Sequence, residues 1–537
     1  MIVRDMMSLL RQKWQQMRYA WRQHKSECCK CSAAHAAAQK KDVFMLTHTT
    51  IAIGLVLYVL GMLAASLFWM RRVSSPADYL VGGRSFPYWI LTGTTTAGCI
   101  GAGVMVGASG LAYSHGWAGA AYPIGLGLGT AVAGLLFAGM RRYKFMTLSE
   151  EIASYYDNNR IVVEFSNITL FLSQLGWLTV QIIGGAAVLG VVTSLPRGWC
   201  VLATTLVTAI IAIPGGLKSV VYTDFLQAII LLTGFTFLAH SALHHTDGLS
   251  GLMRTVPPSY NSFLGIASYG GWNIAGLIVT FVLAVVADPG RRLSMYGART
   301  QRGARWSMVT AGLIVIAFSS IVAIVGMYAY HLHPHMKNPD QSLLWLVMQV
   351  LPPWLAALVV VAVASGIISC ANYNVIASGT FFVRHIYPLV TGRYPRRPLT
   401  AVRLALTGAL LVAGLLAYHA RTIVQFVIEF LPVTMSGLAI IILVGRFWRR
   451  GTWQGAVAAL ITTPIVSLAL MWLPTSNPVW HNPIVPACAG ALAHLAVSAF
   501  TPPSRHSFQD VANELARDRE NIETSSADST EPAISSC

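Results

Sequence analysis

Residues 88–113, YWILTGTTTAGCIGAGVMVGASGLAY, decide how this chain is read. The stretch is long and apolar enough to cross a bilayer, for which a helix needs about 20 residues. It is nevertheless a poor helix. Thr94, Thr95 and Thr96 fall mid-span, and glycines follow at 98, 101, 103 and 107. Glycine weakens a helix interior, and hydrocarbon offers no partner for a freed backbone group. Two arrangements tolerate such a segment. The glycines let the helix pack closely on its neighbours, or the helix breaks at mid-membrane and its freed carbonyls face a cavity, where they bind an ion or a solute. The second arrangement is that of a transporter.

The rest of the chain fits a membrane protein. Charged residues make up 11% and hydrophobic residues 55%, whereas a soluble domain is about a quarter charged. The expected fold class is an all-α polytopic membrane protein. About thirteen apolar segments of spanning length lie near 49–70, 88–113, 117–140, 162–192, 198–214, 220–243, 271–287, 306–330, 354–382, 401–419, 422–445, 452–473 and 483–500. A short extracellular helix is expected at 342–351. The net charge of +17 does not call for nucleic acid, because the basic residues sit in short loops between apolar runs. The eight cysteines form no disulfide framework. No signal peptide of the cleavable kind is recognised.

Basic residues orient the chain. Alternate loops carry twenty of them, including Arg71, Arg72, Arg84, Arg141, Arg142, Lys144, Lys218, Arg291, Arg292, Arg384 and Arg446. The opposite loops hold four: Arg197, Arg254, Lys337 and Arg421. The N-terminus of the first span is therefore expected outside and the C-terminus in the cytoplasm, in the plasma (inner) membrane. Residues 1–48 run against this, with nine lysines and arginines on the outer side. Either they form a basic amphipathic extension on a membrane surface, or the protein starts at Met45. Cys28, Cys29, Cys31 and His35 have poor spacing for zinc. Residues 49–500 form the transmembrane domain, and 501–537 read as a polar, mobile cytoplasmic tail.

Four motifs are similar to those of one family. They are DYLVGGRSFP at 78–87, TLSEEIASYYD at 147–157, GGLKSVVYTDFLQ at 215–227 and ASGIISCANYNVIASGTFFVRHIY at 364–387. Together they resemble the sodium:solute symporters, whose bacterial members carry proline, pantothenate and sugars. The resemblance runs from about 49 to 445. It implies a leucine-transporter-type fold of two inverted five-helix repeats, here about 88–243 and 271–445, the first helix of each being broken. The second broken helix would be 271–287, GWNIAGLIVTFVLAVVA, ahead of Asp288-Pro289-Gly290. Its middle holds no breaker, so its break is implied by the resemblance alone.

The resemblance also implies a Na⁺ site, made by the carbonyls of Ala97, Ile100 and Gly366 and the side chains at Ser369 and Cys370. Relatives place hydroxyls at both of the last two positions. Na⁺ is a hard cation that prefers oxygen, and a thiol suits softer metals. Cys370 and Asn372, the latter standing where relatives often have Asp, should both weaken Na⁺ binding, unless a water or Ser365 compensates. Taken without the motif, Ser369 reads as a packing hydroxyl bonded to its own helix. The solute pocket is expected at Thr94, Thr95, Thr96 and Cys99, facing Gln174, Trp177 and Gln181, which share one helix face. The two glutamines read equally as interhelical hydrogen-bonding groups, and Trp177 as packing.

Four acids stand in or near the spans. Asp224 is expected to cap backbone or to pair with a loop arginine. Arg291 or Arg292 is expected in an inner-gate ion pair with it. Glu429 is either a proton carrier or a snorkelling side chain. The remaining two, Glu164 and Asp288, suggest no role of their own. The function expected is import of a small organic solute by Na⁺ symport with alternating access. It needs no cofactor beyond Na⁺ as coupling ion, no metal and no partner other than solute, Na⁺ and the lipid bilayer. The alternatives are the same fold coupled to H⁺ or to no ion, and a membrane sensor with a transporter-like core. No nucleophile–base pair or metal-spaced cluster inside the spans suggests an enzyme.

Overall fold

The computed structural model describes residues 46–64, 84–145, 147–212, 217–393, 398–420, 422–472, 482–503 and 506–517. Residues 1–45, with Cys28, Cys29, Cys31 and His35, lie outside the described residues. So do 78–83 and 215–216 of two motifs, Arg71, Arg72 and Arg421, and the end of the tail.

Among the described residues the regular elements are helices. In chain order they include α1 (Leu46–Ala64), α2 (Tyr88–Cys99), α3 (Ala108–His115), α4 (Ala121–Phe137), α5 (Leu148–Tyr155), α6 (Arg160–Thr193), α7 (Arg197–Ala212) and α8 (Leu217–His245). Next come α9 (Gly271–Val286), α10 (Pro289–Tyr296), α11 (Gln301–Leu332), α12 (Ser342–Val350), α13 (Pro353–Phe381) and α14 (Pro398–His419). They end with α15 (Ile423–Leu431), α16 (Gly437–Phe447), α17 (Trp453–Trp472) and α18 (Ile484–Phe500), and with α19 at 508–517. Among the described residues, eight helices are long and apolar enough to cross a membrane, or nine if α9 and α10 form one bent span; three shorter apolar helices accompany them.

The threonine- and glycine-rich stretch is broken. After Cys99, Ile100 turns to φ −93°, ψ 64°, outside the helical region. The chain becomes helical again through a π-turn at Gly103–Gly107 that runs into α3. Gly103 lets α4 pack directly on this turn. A Cβ there would fall 1.9 Å from the Tyr122 hydroxyl of α4. Tyr122 itself stacks on Phe281 of α9, with ring centroids 3.7 Å apart.

The second break is not inside 271–287. Helix α9 runs to Val286, and the axis bends by 47° into α10. The cause lies in the next residues. Asp288 precedes a proline, which disfavours helical backbone, and it takes φ −75°, ψ 113°. Its carboxylate then caps α10 by accepting from Gly290 N at 2.8 Å, with Pro289 well suited to the first helical turn.

The tail also differs from its expected disorder at its start. Phe508, Val511, Ala512 and Leu515 have helical spacing. Val511 and Ala512 are buried, and Phe508 packs against Tyr143, Phe145 and Tyr155.

Packing sets the broken helix at the centre. Helix α11 lies along α4 and α3, α9 along α4, and α13 along α6 and α8, while α2 touches α8, α11 and α13. Loops gather at two ends. At one, Arg141 donates to Ala298 O at 2.6 Å, and the His506 amide donates to Asp157 at 3.2 Å. At the other, Arg197 donates to Ala417 O at 2.8 Å, and Asp340 accepts from the first amide of α15, Ile423 N, at 2.9 Å.

Candidate functional site

A cavity of about 50 Å³ lies at the break in α2, several times the ~10–15 Å³ that one water needs. Thr94, Gly98 and Cys99 of α2 line it from one side. Trp177 and Gln181 of α6 and Ser369 and Cys370 of α13 line it from others, with Asp224, Asp288 and Arg291 at the polar end.

Of the five expected cation ligands, Ser369 and Cys370 line the cavity, whereas Ala97, Ile100 and Gly366 lie next to it and outside its lining. The Ile100 amide is satisfied by Thr96 O and Ala97 O at 3.0 and 3.1 Å. The Cys370 thiol lies 3.6 Å from Ala97 O and 3.5 Å from Gly98 O. Helix α13 approaches the break backbone to backbone, because a Cβ on Gly366 would stand 3.0 Å from Ile100 O. Ser369 is turned differently. Its hydroxyl donates to Asp224 Oδ1 rather than to its own helix. The C-terminal end of α2 carries the partial negative charge of a helix terminus into this space, which favours a cation.

The expected solute residues are divided. Thr94, Cys99, Trp177 and Gln181 line the cavity, and Cys99 Sγ lies 3.4 Å from Thr130 Oγ1. Gln181 has a structural duty as well: its Oε1 accepts from Ala102 N at 3.0 Å and caps the resumed helix. Thr96 donates to Thr92 O at 2.8 Å within its own helix. Thr95 is fully buried. Gln174 is buried away from the cavity, with neither amide atom hydrogen-bonded among the described residues.

The acids and arginines correct two expectations. Among the described residues Asp224 makes no backbone cap and no ion pair within 4 Å; its carboxylate accepts from Ser369, and the charge of Arg291 reaches it only at longer range. Arg292 instead meets Glu151 of α5 at 3.4 Å, both side chains fully buried. Arg291 Nη2 donates to Gly98 O at 2.8 Å, and its Nε lies 3.7 Å from Asp288. Glu429 stands on an exposed face of α15, held by Gln425 at 2.9 Å, a poor place for an inner proton carrier. Glu164 pairs with Arg160 at 2.5 Å. Sequence reasoning missed Tyr122, and it assigned Arg291 to a different partner. The glycines at 98 and 103 were the available signal, since each leaves room for one of these two side chains.

Residues 79–463 match the model of the sodium:solute symporter family. The chain belongs to that family. This symporter is accordingly a Na⁺-coupled secondary transporter of small solutes and not an enzyme. It is 24% identical over 457 residues to the sodium/pantothenate symporter of Escherichia coli (strain K12), covering 81% of this chain and 93% of that protein. With the sodium/glucose cotransporter of Vibrio parahaemolyticus the identity is 25%, covering 75% and 81%. With the high-affinity proline transporter PutP of Bacillus subtilis (strain 168) it is 21%, covering 84% and 98%. Its fold is shared with a Na⁺-coupled sialic acid symporter, at a TM-score of 0.70 and 16% identity over 85% of this chain and 99% of that one. It is also shared with a nucleobase-cation-symport-1 family transporter, at 0.55 and 14% over 82% and 99%.

Proposed function

We propose that this symporter imports a small organic solute with Na⁺ through the cavity at the α2 break. The reading rests above all on that break, where α2 ends at a small cavity lined also by Ser369 and Cys370, and Gly366 lets α13 approach the Ile100 carbonyl. Na⁺ would sit among the carbonyls of Ala97, Ile100 and Gly366 and the side chains of Ser369 and Cys370. The solute would lie beside Thr94, Cys99, Trp177 and Gln181, with Thr95, Thr96 and Gln174 supporting it from behind. The relatives' printed substrates, namely pantothenate, glucose and proline, set the size class.

The wider frame is thirteen spans, with repeats at about 88–243 and 271–445 rocking against each other. The N-terminus of the first span lies outside and the tail inside the plasma membrane. Each Na⁺ entering at 100 mV supplies roughly 2.3 kcal/mol before any concentration term. That is enough for about fiftyfold accumulation of a neutral solute per ion.

The test is thermal stability of the purified protein with a panel of organic acids, amino acids and sugars, in Na⁺, K⁺ or choline. A ligand that binds the folded state raises its apparent stability. The expected result is a solute that stabilises only in Na⁺, followed by its Na⁺-driven uptake into proteoliposomes. A solute that stabilises equally in choline overturns coupling at this site.

A further inference from the structure

Arg291 is misplaced for an ordinary loop arginine. It lies in the first turn of α10, immediately after the bend, and its side chain runs back into the cavity. Nη2 donates to Gly98 O at 2.8 Å. That carbonyl belongs to the last turn of α2, one residue past Ala97. Cys370 Sγ, at one of the cation positions of the reading above, lies 3.5 Å from the same oxygen. A guanidinium thus stands on the negative end of the broken helix, where an inorganic cation would be drawn.

Two details show that the place is shaped for it. Gly98 has no Cβ, and one built there would lie 2.8 Å from Arg291 Nη1, touching nothing but that guanidinium. The second is Asp288, whose Oδ2 lies 3.7 Å from Nε. The carboxylate gives the guanidinium a second resting place a short swing away, on its own element.

We propose that Arg291 is a tethered rival of Na⁺. It occupies the break while the site is empty and withdraws to Asp288 when Na⁺ enters. This rests on the cation-site reading above and adds the residue that sets the site's Na⁺ affinity. Two positive charges a few ångströms apart in a protected cavity repel strongly, so the two occupants exclude each other. The arrangement also fits Cys370. A hydroxyl would hold Na⁺ more firmly than a thiol, and a weak site is easily refilled by an attached cation. For a symporter the gain is in the return step. The empty carrier must reorient without Na⁺, and a guanidinium on the exposed carbonyls neutralises the helix end in that half of the cycle.

The experiment is a Na⁺ titration of thermal stability on the full-length protein in detergent, at constant ionic strength with choline. Na⁺ alone is the probe, so no solute need be known. Wild type is compared with Arg291→Gln, Arg291→Lys, Gly98→Ala and Ser369→Ala. Gly98→Ala pushes the guanidinium off without removing it, and it stands in if Arg291→Gln fails to fold. The expected result is a half-maximal Na⁺ concentration lowered roughly tenfold or more in Arg291→Gln and Gly98→Ala. Arg291→Lys should fall between them and wild type, and Ser369→Ala should need more Na⁺. If Ser369→Ala shifts the midpoint but Gly98→Ala and the Arg291 variants leave it alone, the cation site stands and the rivalry is wrong. If Ser369→Ala also leaves it unchanged, the cation-site reading falls and the proposal with it. A weaker response to Na⁺ in Arg291→Gln overturns it as well, because Arg291 would then be building the site rather than competing for it.

Discussion

Asp340 shows what a single buried carboxylate does outside the spans. It is 4% exposed and accepts from Ile423 N at the start of α15. Its other oxygen presses on α3, where a Cβ on Gly110 would lie 2.9 Å away. Burial pushes its pKa up from 3.8 to about 6, opposed by the Ile423 amide and by Arg197. The protonated form is therefore the one the folded protein favours. Stability from this group is fully present below about pH 4 and is lost as pH rises through 6. Asp340→Asn keeps an oxygen for Ile423 N and removes the charge. It should stabilise the protein by ~1–3 kcal/mol at pH 8 and by little at pH 4. Thermal unfolding of both proteins across that range checks this, and an equal gap at both pH values would contradict it. Neither Asp340 nor Arg291 could be assigned its partner from sequence. Asp340 meets a residue 83 positions away and Arg291 one 193 positions away. Cys370 was legible as unusual only through the resemblance, which places a hydroxyl at that position.

At the scale of elements, α10 is tied to α5 by a buried cluster. Glu151 accepts from Tyr155 at 3.0 Å and from Tyr296 at 2.5 Å, and faces Arg292 at 3.4 Å. The Arg292 guanidinium lies 3.8 Å over the Phe137 ring and donates to Val286 O at 3.2 Å. Removing one partner of such a pair strands the other charge. Glu151→Gln or Arg292→Met should therefore cost about 3–5 kcal/mol, and the double variant Glu151→Gln, Arg292→Met should recover part of it. A double-mutant cycle on unfolding midpoints measures this, and strict additivity would mean that the two side chains act apart. The same cluster fixes the direction of α10 and hence the reach of Arg291. The break in α2 was legible because glycine and threonine spacing is local chemistry. The bend after α9 was misplaced for a related reason. The apolar run 271–286 carries no signal of its own, and the signal lay beyond it, in a proline that bars the preceding residue from the helix and an aspartate that caps the next one. The helical start of the tail was hidden by its polar average, although its four apolar positions keep a period that suits docking on Tyr143, Phe145 and Tyr155.

For the whole molecule, the two ends of the bundle differ in charge, and this makes its orientation testable. Arg84, Arg141, Arg142, Lys144, Arg299 and Arg302 accompany loops on the side of α5 and α19. The side of Asp340 and the α15 N-terminus holds Arg197, Arg254 and Lys337. Short basic loops stay cytoplasmic, so α19 is expected inside and the loop around Phe263 outside. The nine basic residues in 1–48 pull the other way. They precede the first span, whereas the internal loops act at every later crossing, so the internal loops should win. Phe263 is 80% exposed, and Glu514 is exposed on α19. In a cysteine-free background, Phe263→Cys and Glu514→Cys give one reporter at each end. An impermeant maleimide applied to intact right-side-out vesicles should label the first and spare the second, and permeabilised vesicles should label both. Labelling of the tail reporter alone in intact vesicles would invert the protein. Na⁺ running down its gradient would then enter the cavity from the opposite end, and the expected direction of solute transport would reverse with it.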